Sequence, residues 1–215
     1  MLQEYTPVVR GFLRILLYAG ITSLIFLIVY IDAVILQTFG ETSYVEIAQA
    51  VLLGGISIIF IAAALKIPAL QTSAWLLATF STASLIREND IWLDMLHPEG
   101  WQILVTPVLA AGLFHAWRNR SAFLAEQRIY TESTSFGLLA AALMTTYLFA
   151  RLYGMGAFWR NVMPNGYDRN VKDMSEECME LFGYGILLCA ALEFVALAKR
   201  VAQEQKAAGT VEKTA

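Results

Sequence analysis

The stretch Ile15–Ile31, which reads ILLYAGITSLIFLIVYI, contains no charged side chain. A helix needs about 20 mostly apolar residues to cross the roughly 30 Å of hydrocarbon in a bilayer. The run is longer than the apolar region of a signal peptide, and no small-residue cleavage site follows it. We therefore interpret it as the centre of a retained membrane-spanning helix that covers residues 11–36.

Five more apolar runs of similar length follow along the chain. With the first, they predict six transmembrane helices: Gly11–Leu36, Tyr44–Leu65, Ala69–Ile86, Trp101–Trp117, Ser135–Tyr153 and Glu176–Ala198. The fold class is therefore expected to be all-α, an integral membrane bundle that forms one domain over residues 1–198. The connections 118–134 and 154–175 are expected to be loops, and the polar tail 199–215 to be disordered at its end.

The composition agrees with this class. The chain is 58% hydrophobic and 15% charged, whereas a soluble domain is about 45–50% apolar and about 25% charged. The net charge of -3 and the absence of a Lys/Arg-rich run argue against nucleic acid as a partner. No nucleotide-binding motif occurs. A retinal Schiff base would need a lysine in the middle of the membrane, but Lys66 lies at the edge of a span. His97 and His115 are predicted on opposite membrane faces, which argues against a shared haem.

The distribution of Lys and Arg predicts the orientation. Six spans place both termini on one side, and the connections on that side hold ten of these cations against five on the other. The positive-inside rule then puts both termini in the cytoplasm of a bacterial-type inner membrane. The outer ends of the helices consequently carry most of the acidic residues.

One of these outer ends is the stretch Arg87–His97. If the preceding helix continues through it, Arg87, Asp90, Asp94 and His97 follow one another at steps of three, four and three and share one face. Ionisable residues at the end of a spanning helix are costly to maintain there, which indicates a functional site.

Other helices offer similar polar faces at their outer ends, and bundling should turn them inward because charge that faces lipid is costly. The sequence thus predicts an outward-facing acidic pocket whose members bind a ligand: Glu46, Gln49, Arg87, Asp90, Asp94, Arg151, Glu177, Glu180 and Tyr184. The leading hypothesis is that this pocket binds or transports a cation or a polar lipid headgroup. The expected partners are the lipid bilayer and such a ligand, and a homo-oligomer or a larger membrane complex is also considered.

Two alternatives remain open. In the first, Asp94, His97 and Glu180 hold a divalent metal, and the protein is a membrane-embedded hydrolase whose metal-bound water attacks a lipid ester or amide. In the second, the protein is an accessory subunit in which Arg87 and Arg151 pair with Glu46, Asp90 or Glu180 and only hold the helix ends together. The sequence identifies no further cofactor.

Overall fold

A computed structural model gives the structure of the chain, and it describes residues 6–36, 43–95 and 97–214. Every regular element within these ranges is helical, which confirms the all-α class. The ten α-helices in these ranges are α1 Thr6–Tyr30, α2 Tyr44–Lys66, α3 Gln71–Glu88, α4 Asp90–Asp94, α5 Gly100–Arg118, α6 Arg120–Tyr130, α7 Thr134–Leu143, α8 Ala150–Tyr153, α9 Gly156–Val162 and α10 Arg169–Thr214. A π-helical segment, Ile31–Leu36, continues α1, and a second, Met144–Phe149, joins α7 to α8.

Four continuous helical stretches among the described residues are long and apolar enough to cross a membrane: Val8–Leu36, Tyr44–Lys66, Thr134–Tyr153 and Arg169–Ala208. These stretches contain the first, second, fifth and sixth predicted spans, and they are consistent with a membrane protein. The third and fourth predicted spans correspond to α3 and α5, of 18 and 19 residues. Polar side chains in these two helices lower their hydropathy, so a total of six spans stays a prediction, as does the orientation of the termini.

The chain divides into two compact units. Unit 1 comprises Met1–Ala48 and Ala142–Ile186, and unit 2 comprises Gln49–Ala141 and Leu187–Ala215. The boundaries fall inside α2, α7 and α10, so these helices contribute residues to both units.

Close helix packing in unit 1 depends on two glycines of α10. A Cβ atom on Gly183 would overlap the hydroxyl of Thr146, and a Cβ atom on Gly185 would overlap the side chain of Ile25. Small residues let neighbouring helices approach closely in membranes, where no hydrophobic effect drives them together. Gly183 and Gly185 therefore fix α10 against the second π-helical segment and against α1.

The core of unit 2 is mainly apolar and aromatic. The ring of Phe194 lies edge-on to Phe60, with 5.6 Å between centroids, and edge-on to Tyr130 at 5.4 Å. Gly112 of α5 packs against Thr79 of α3, whose Cβ atom would lie 2.7 Å from a Cβ on this glycine. These contacts bring α3 and α5 together as a helical hairpin.

Two local predictions are corrected. The helix through the Arg87–His97 stretch is interrupted at Asn89, which has φ -108° and ψ 24°, and α4 ends at Asp94. Both expected loops contain helices, since α6 occupies most of 118–134, and α9 and the start of α10 lie within 154–175. The last helix, α10, extends into the polar tail as far as Thr214. Helices of polar composition lack the apolar run on which a span prediction depends, so hydropathy does not identify them.

Candidate functional site

Four charged residues of unit 1 form a connected cluster, which we call the Arg151 cluster: Arg151, Lys172, Glu176 and Glu180. Arg151 Nη1 donates to Glu176 Oε1 at 3.3 Å, and its Nη2 lies 3.6 Å from Glu180 Oε1. Lys172 Nζ donates to Glu176 Oε2 at 2.6 Å. Because positions 172, 176 and 180 are one turn apart, α10 presents all three side chains on one face toward Arg151 of α8.

The electrostatics of the cluster follow from its burial. Glu176 and Glu180 are like charges one helical turn apart, an arrangement that is unfavourable without a cation between them. Glu180 is 4% exposed, and the counter-charge of Arg151 offsets part of the cost of burying its carboxylate. The side chain of Arg151 is 51% exposed, although its Nη1 and Nη2 atoms contact both carboxylates. Lys172 also pairs with Asp173, which in turn pairs with Arg169, so the connected ion pairs contain three cations and three carboxylates. This balance of charge differs from the predicted acidic pocket.

Gly154 lets the cluster pack tightly at the end of α8. A Cβ atom at this position would overlap the carboxyl group of Glu176. The glycine therefore brings that carboxyl group against the backbone where the span Thr134–Tyr153 ends, within reach of Arg151.

The other acidic groups at helix ends in unit 1 have structural contacts. Asp32 is 1% exposed, and its Oδ2 accepts the N–H of Val45 at 3.0 Å, so a carboxylate of the first π-helical segment caps the start of α2. Ser43 Oγ accepts the N–H of Glu46 at 3.2 Å. The sequence from Ser43 to Glu46 has the S-x-x-E pattern of a capping box, a signal that would have placed Glu46 in the first turn of a helix for structural reasons.

The two remaining site residues predicted in unit 1 lie on α10. Glu177 is half-buried beside the Arg151 cluster in sequence, and Tyr184 is fully buried between the two packing glycines. The structure thus places Glu46, Arg151, Glu177, Glu180 and Tyr184 in one unit and brings Arg151 and Glu180 into contact.

The predicted site residues of unit 2 occupy varied environments. Arg87 Nη2 pairs with Glu88 Oε2 at 2.9 Å, and Glu88, which the sequence analysis missed, is almost buried. Gln49 is buried and Asp90 half-buried, whereas Asp94 and His97 are exposed. His97 Nδ1 lies 2.6 Å from the carbonyl oxygen of Pro98. The meeting of this set with the residues of unit 1 at one ligand stays a prediction.

The metal hypothesis gains no support from the geometry. Within residues 6–36, 43–95 and 97–214, no group of three or more His, Cys, Asp or Glu side chains is arranged to hold a metal ion. Asp94 and His97 belong to unit 2, and Glu180, which belongs to unit 1, is paired with Arg151.

A polar site that the sequence analysis missed lies in unit 2, where Glu126 of α6 caps the start of α3. Its carboxylate accepts the N–H of Thr72 at 3.1 Å, and both the N–H and the hydroxyl of Ser73 at 2.7 Å. Gln127 Nε2 donates to Ser73 Oγ at 2.9 Å. The first N–H groups of a helix have no partner within it, so an acceptor was expected there, but a partner more than fifty residues away could not be identified from spacing.

Tyr130, at the end of α6, is the buried phenol of this region. Burial raises its pKa to about 12, although a hydrogen bond with the Ser135 side chain acts in the opposite direction. The Ser135 hydroxyl in turn donates to the carbonyl oxygen of Ala190 at 2.8 Å, which ties the start of α7 to α10. These contacts give Tyr130 a structural role.

Comparison with protein-family models, with curated proteins and with solved structures finds no match to this chain. The interpretation of its function therefore depends on the two helix-end sites described above, of which only the Arg151 cluster has a half-exposed cation at the end of an apolar span.

Proposed function

We propose that this protein is an integral membrane protein that binds a polar lipid headgroup at the Arg151 cluster. The observation that carries the proposal is the state of Arg151, which contacts two carboxylates and still exposes half of its side chain where an apolar span ends. A headgroup phosphate can reach a guanidinium in that position without leaving the membrane interface. Guanidinium groups bind phosphate oxygens in a bidentate geometry that suits this contact.

Lipid headgroups are favoured over inorganic cations by the charge balance of the cluster. Glu176 is contacted by Arg151 and by Lys172, and Glu180 lies beside Arg151. A cation would have to displace these internal partners, whereas a phosphate adds to the solvent-facing side of Arg151. Transport of a cation or of the headgroup would require flux through the membrane, and it stays a separate prediction to be measured in vesicles.

The proposal includes the location predicted from the sequence. The cluster would face outward from a bacterial-type inner membrane, with both termini in the cytoplasm, because the larger number of Lys and Arg residues falls on the terminal side. Labelling of cysteines introduced into the N-terminal and C-terminal segments with a membrane-impermeant reagent in intact cells tests this orientation.

The binding experiment uses the full chain in detergent, titrated with a short-chain phosphatidylglycerol and followed by native mass spectrometry. We expect Arg151→Gln to weaken binding about fivefold, since one cation near a lipid phosphate contributes about 1 kcal/mol. Lys172→Gln should weaken it less, because the Lys172 side chain is only 18% exposed and pairs with Asp173 and Glu176. Arg200→Gln is the matched control, because Arg200 lies on the same long helix and also pairs with a glutamate one turn away, Glu204. Equal binding by all three variants and the unchanged protein would refute the proposal.

The accessory-subunit function is the second candidate, and it is favoured by the fact that the charged groups of the cluster already pair with one another. If these pairs only hold α8 to α10, the protein should bind lipid unselectively and should be recovered from native membranes with a stoichiometric partner. Mild-detergent purification followed by size measurement distinguishes this candidate from the lipid-binding one.

A further inference from the structure

The short helix α9, in the connection that follows the span Thr134–Tyr153, has two chemically different sides. Phe158 and Val162 are one turn apart and therefore share a face, and they are 45% and 53% exposed. Arg160 lies on the opposite side of the helix, exposed, with its guanidinium carbon 5.8 Å from the centroid of the Tyr167 ring.

A third side of α9, which carries Trp159, packs against the end of the span. Trp159 is buried, and its Nε1 donates to the carbonyl oxygen of Tyr153 at 2.7 Å. The two aromatic rings meet edge-on with 5.2 Å between their centroids. This contact fixes the rotation of α9 about its axis and so determines which face is left for Phe158 and Val162.

The apolar face of α9 adjoins the exposed apolar side chains of the span, because the Tyr153 ring lies 5.6 Å from the Phe149 ring and 5.7 Å from the Phe158 ring. Phe149 and Leu152, in the last turns before Tyr153, are about as exposed as Phe158. Only Gly154 and Met155 separate Tyr153 from the first residue of α9. Because consecutive Cα atoms are about 3.8 Å apart, this link keeps the start of α9 within about 12 Å of the end of the span.

We propose that α9 is an interfacial helix that lies in the plane of the membrane, with Phe158 and Val162 inserted below the phospholipid headgroups. Its partner is the phospholipid monolayer, since the exposed apolar face adjoins the exposed apolar side chains of the span. Arg160 and Tyr167 remain at the level of the headgroups, where cationic and aromatic side chains are favourable. This assignment goes beyond the proposed binding function and uses no residue of the Arg151 cluster.

The test places a small fluorescent label on single cysteines of the full chain, in a background in which Cys178 and Cys189 are replaced by alanine. The labelled variants are Phe158→Cys and Val162→Cys, and Arg160→Cys is the matched control on the opposite side of the same helix. Ile58→Cys, at an exposed apolar position in the middle of α2, is the reference for a deep location. All are reconstituted into vesicles of phospholipids brominated either near the headgroup or deep in the acyl chain.

We expect the shallow bromolipid to quench the labels at 158 and 162 about twofold more than the label at 160, and the deep bromolipid to quench the Ile58 position most. Quenching at 158 and 162 that equals quenching at 160 would overturn the proposal, as would stronger quenching of these labels by the deep bromolipid. Two labelled positions on the apolar face keep the test informative if one variant fails to fold. Arg151→Gln should leave the quenching unchanged, so loss of headgroup binding and loss of the interfacial helix are distinguishable.

Discussion

Replacement of Gly183 by alanine should destabilise the protein through a steric conflict with Thr146. A Cβ atom on Gly183 would lie 3.1 Å from Thr146 Cβ and 3.2 Å from Thr146 N, and it would overlap the hydroxyl oxygen. Rotation of the threonine side chain cannot relieve the contact with the backbone nitrogen, so one of the two helices must shift. Overpacking of this kind costs about 1–3 kcal/mol, which outweighs the gain of at most about 1 kcal/mol from the better helix propensity of alanine.

The partner substitution makes the reasoning specific to this contact. Thr146 Oγ1 is buried and has no hydrogen-bond acceptor or donor within reach among the described residues. Its removal in Thr146→Ala should therefore change the stability by less than about 1 kcal/mol. In the double variant the new methyl group at position 183 meets one atom fewer, and we expect a coupling energy of about 1–2 kcal/mol between the two sites.

The assay is reversible unfolding in mixed detergent micelles, followed by circular dichroism, for the two single variants and the double variant. Gly137→Ala is the matched control, because a Cβ on this α7 glycine would meet nothing within 4 Å. It should leave the stability unchanged or raise it by up to about 1 kcal/mol. If Gly183→Ala behaves like Gly137→Ala, or if the two effects are additive, the inferred helix contact is wrong.

Three further outcomes are expected in the same unfolding assay. Arg151→Ala should cost about 1–2 kcal/mol, less than the about 3–5 kcal/mol of a fully buried pair, because the guanidinium is half-exposed while Glu180 is not; an unchanged stability would contradict the pairing. Glu126→Ala should cost about 1–2 kcal/mol because it removes the cap of α3. Glu132→Ala is the control, because Glu132 is exposed just after the end of α6, the helix that carries Glu126, and it should cost almost nothing. Burial raises the pKa of Tyr130 from 10.0 to about 12. Between these two pH values the folded protein keeps the phenolic proton that the unfolded chain loses, so the free energy of unfolding should fall by about 2–3 kcal/mol as pH rises from 10 to 12. Tyr130→Phe should lack this part of the pH dependence, and an identical pH profile in both proteins would refute it.

The parts of the fold that depend on apolar runs could be predicted from the sequence. The runs identified all four stretches that are long and apolar enough to span a membrane, with bounds that differ from the observed ones mainly where a helix extends beyond its apolar part. The start of α10 at Arg169 is one such case, because Lys172 and Glu176 pair with each other one turn apart and continue the helix outside the apolar run. Hydropathy alone carries no signal for such a charged turn.

Within the candidate site, the sequence could predict only the pairing of opposite charges at the ends of two consecutive apolar runs. Arg151 and Glu180 end and begin their apolar runs on the same predicted side, and the structure pairs them. The partners of Asp32 and Glu126 could not be found in this way, since both carboxylates bind backbone N–H groups at the start of another helix. A backbone N–H donor has no residue-type signature, so such contacts become visible only when the helices are in place.

Burial divides the ionisable groups at helix ends into those that hold the fold and those that can meet a ligand. Asp32 and Glu180 are almost fully buried, and each already has a partner that a ligand would have to replace at considerable cost. Arg151 differs, because it contacts two carboxylates through Nη1 and Nη2 while about half of its side chain stays exposed. A ligand of this region should therefore be sought first among anionic groups that approach Arg151, whereas the sequence alone left a cation and a polar lipid headgroup equally open.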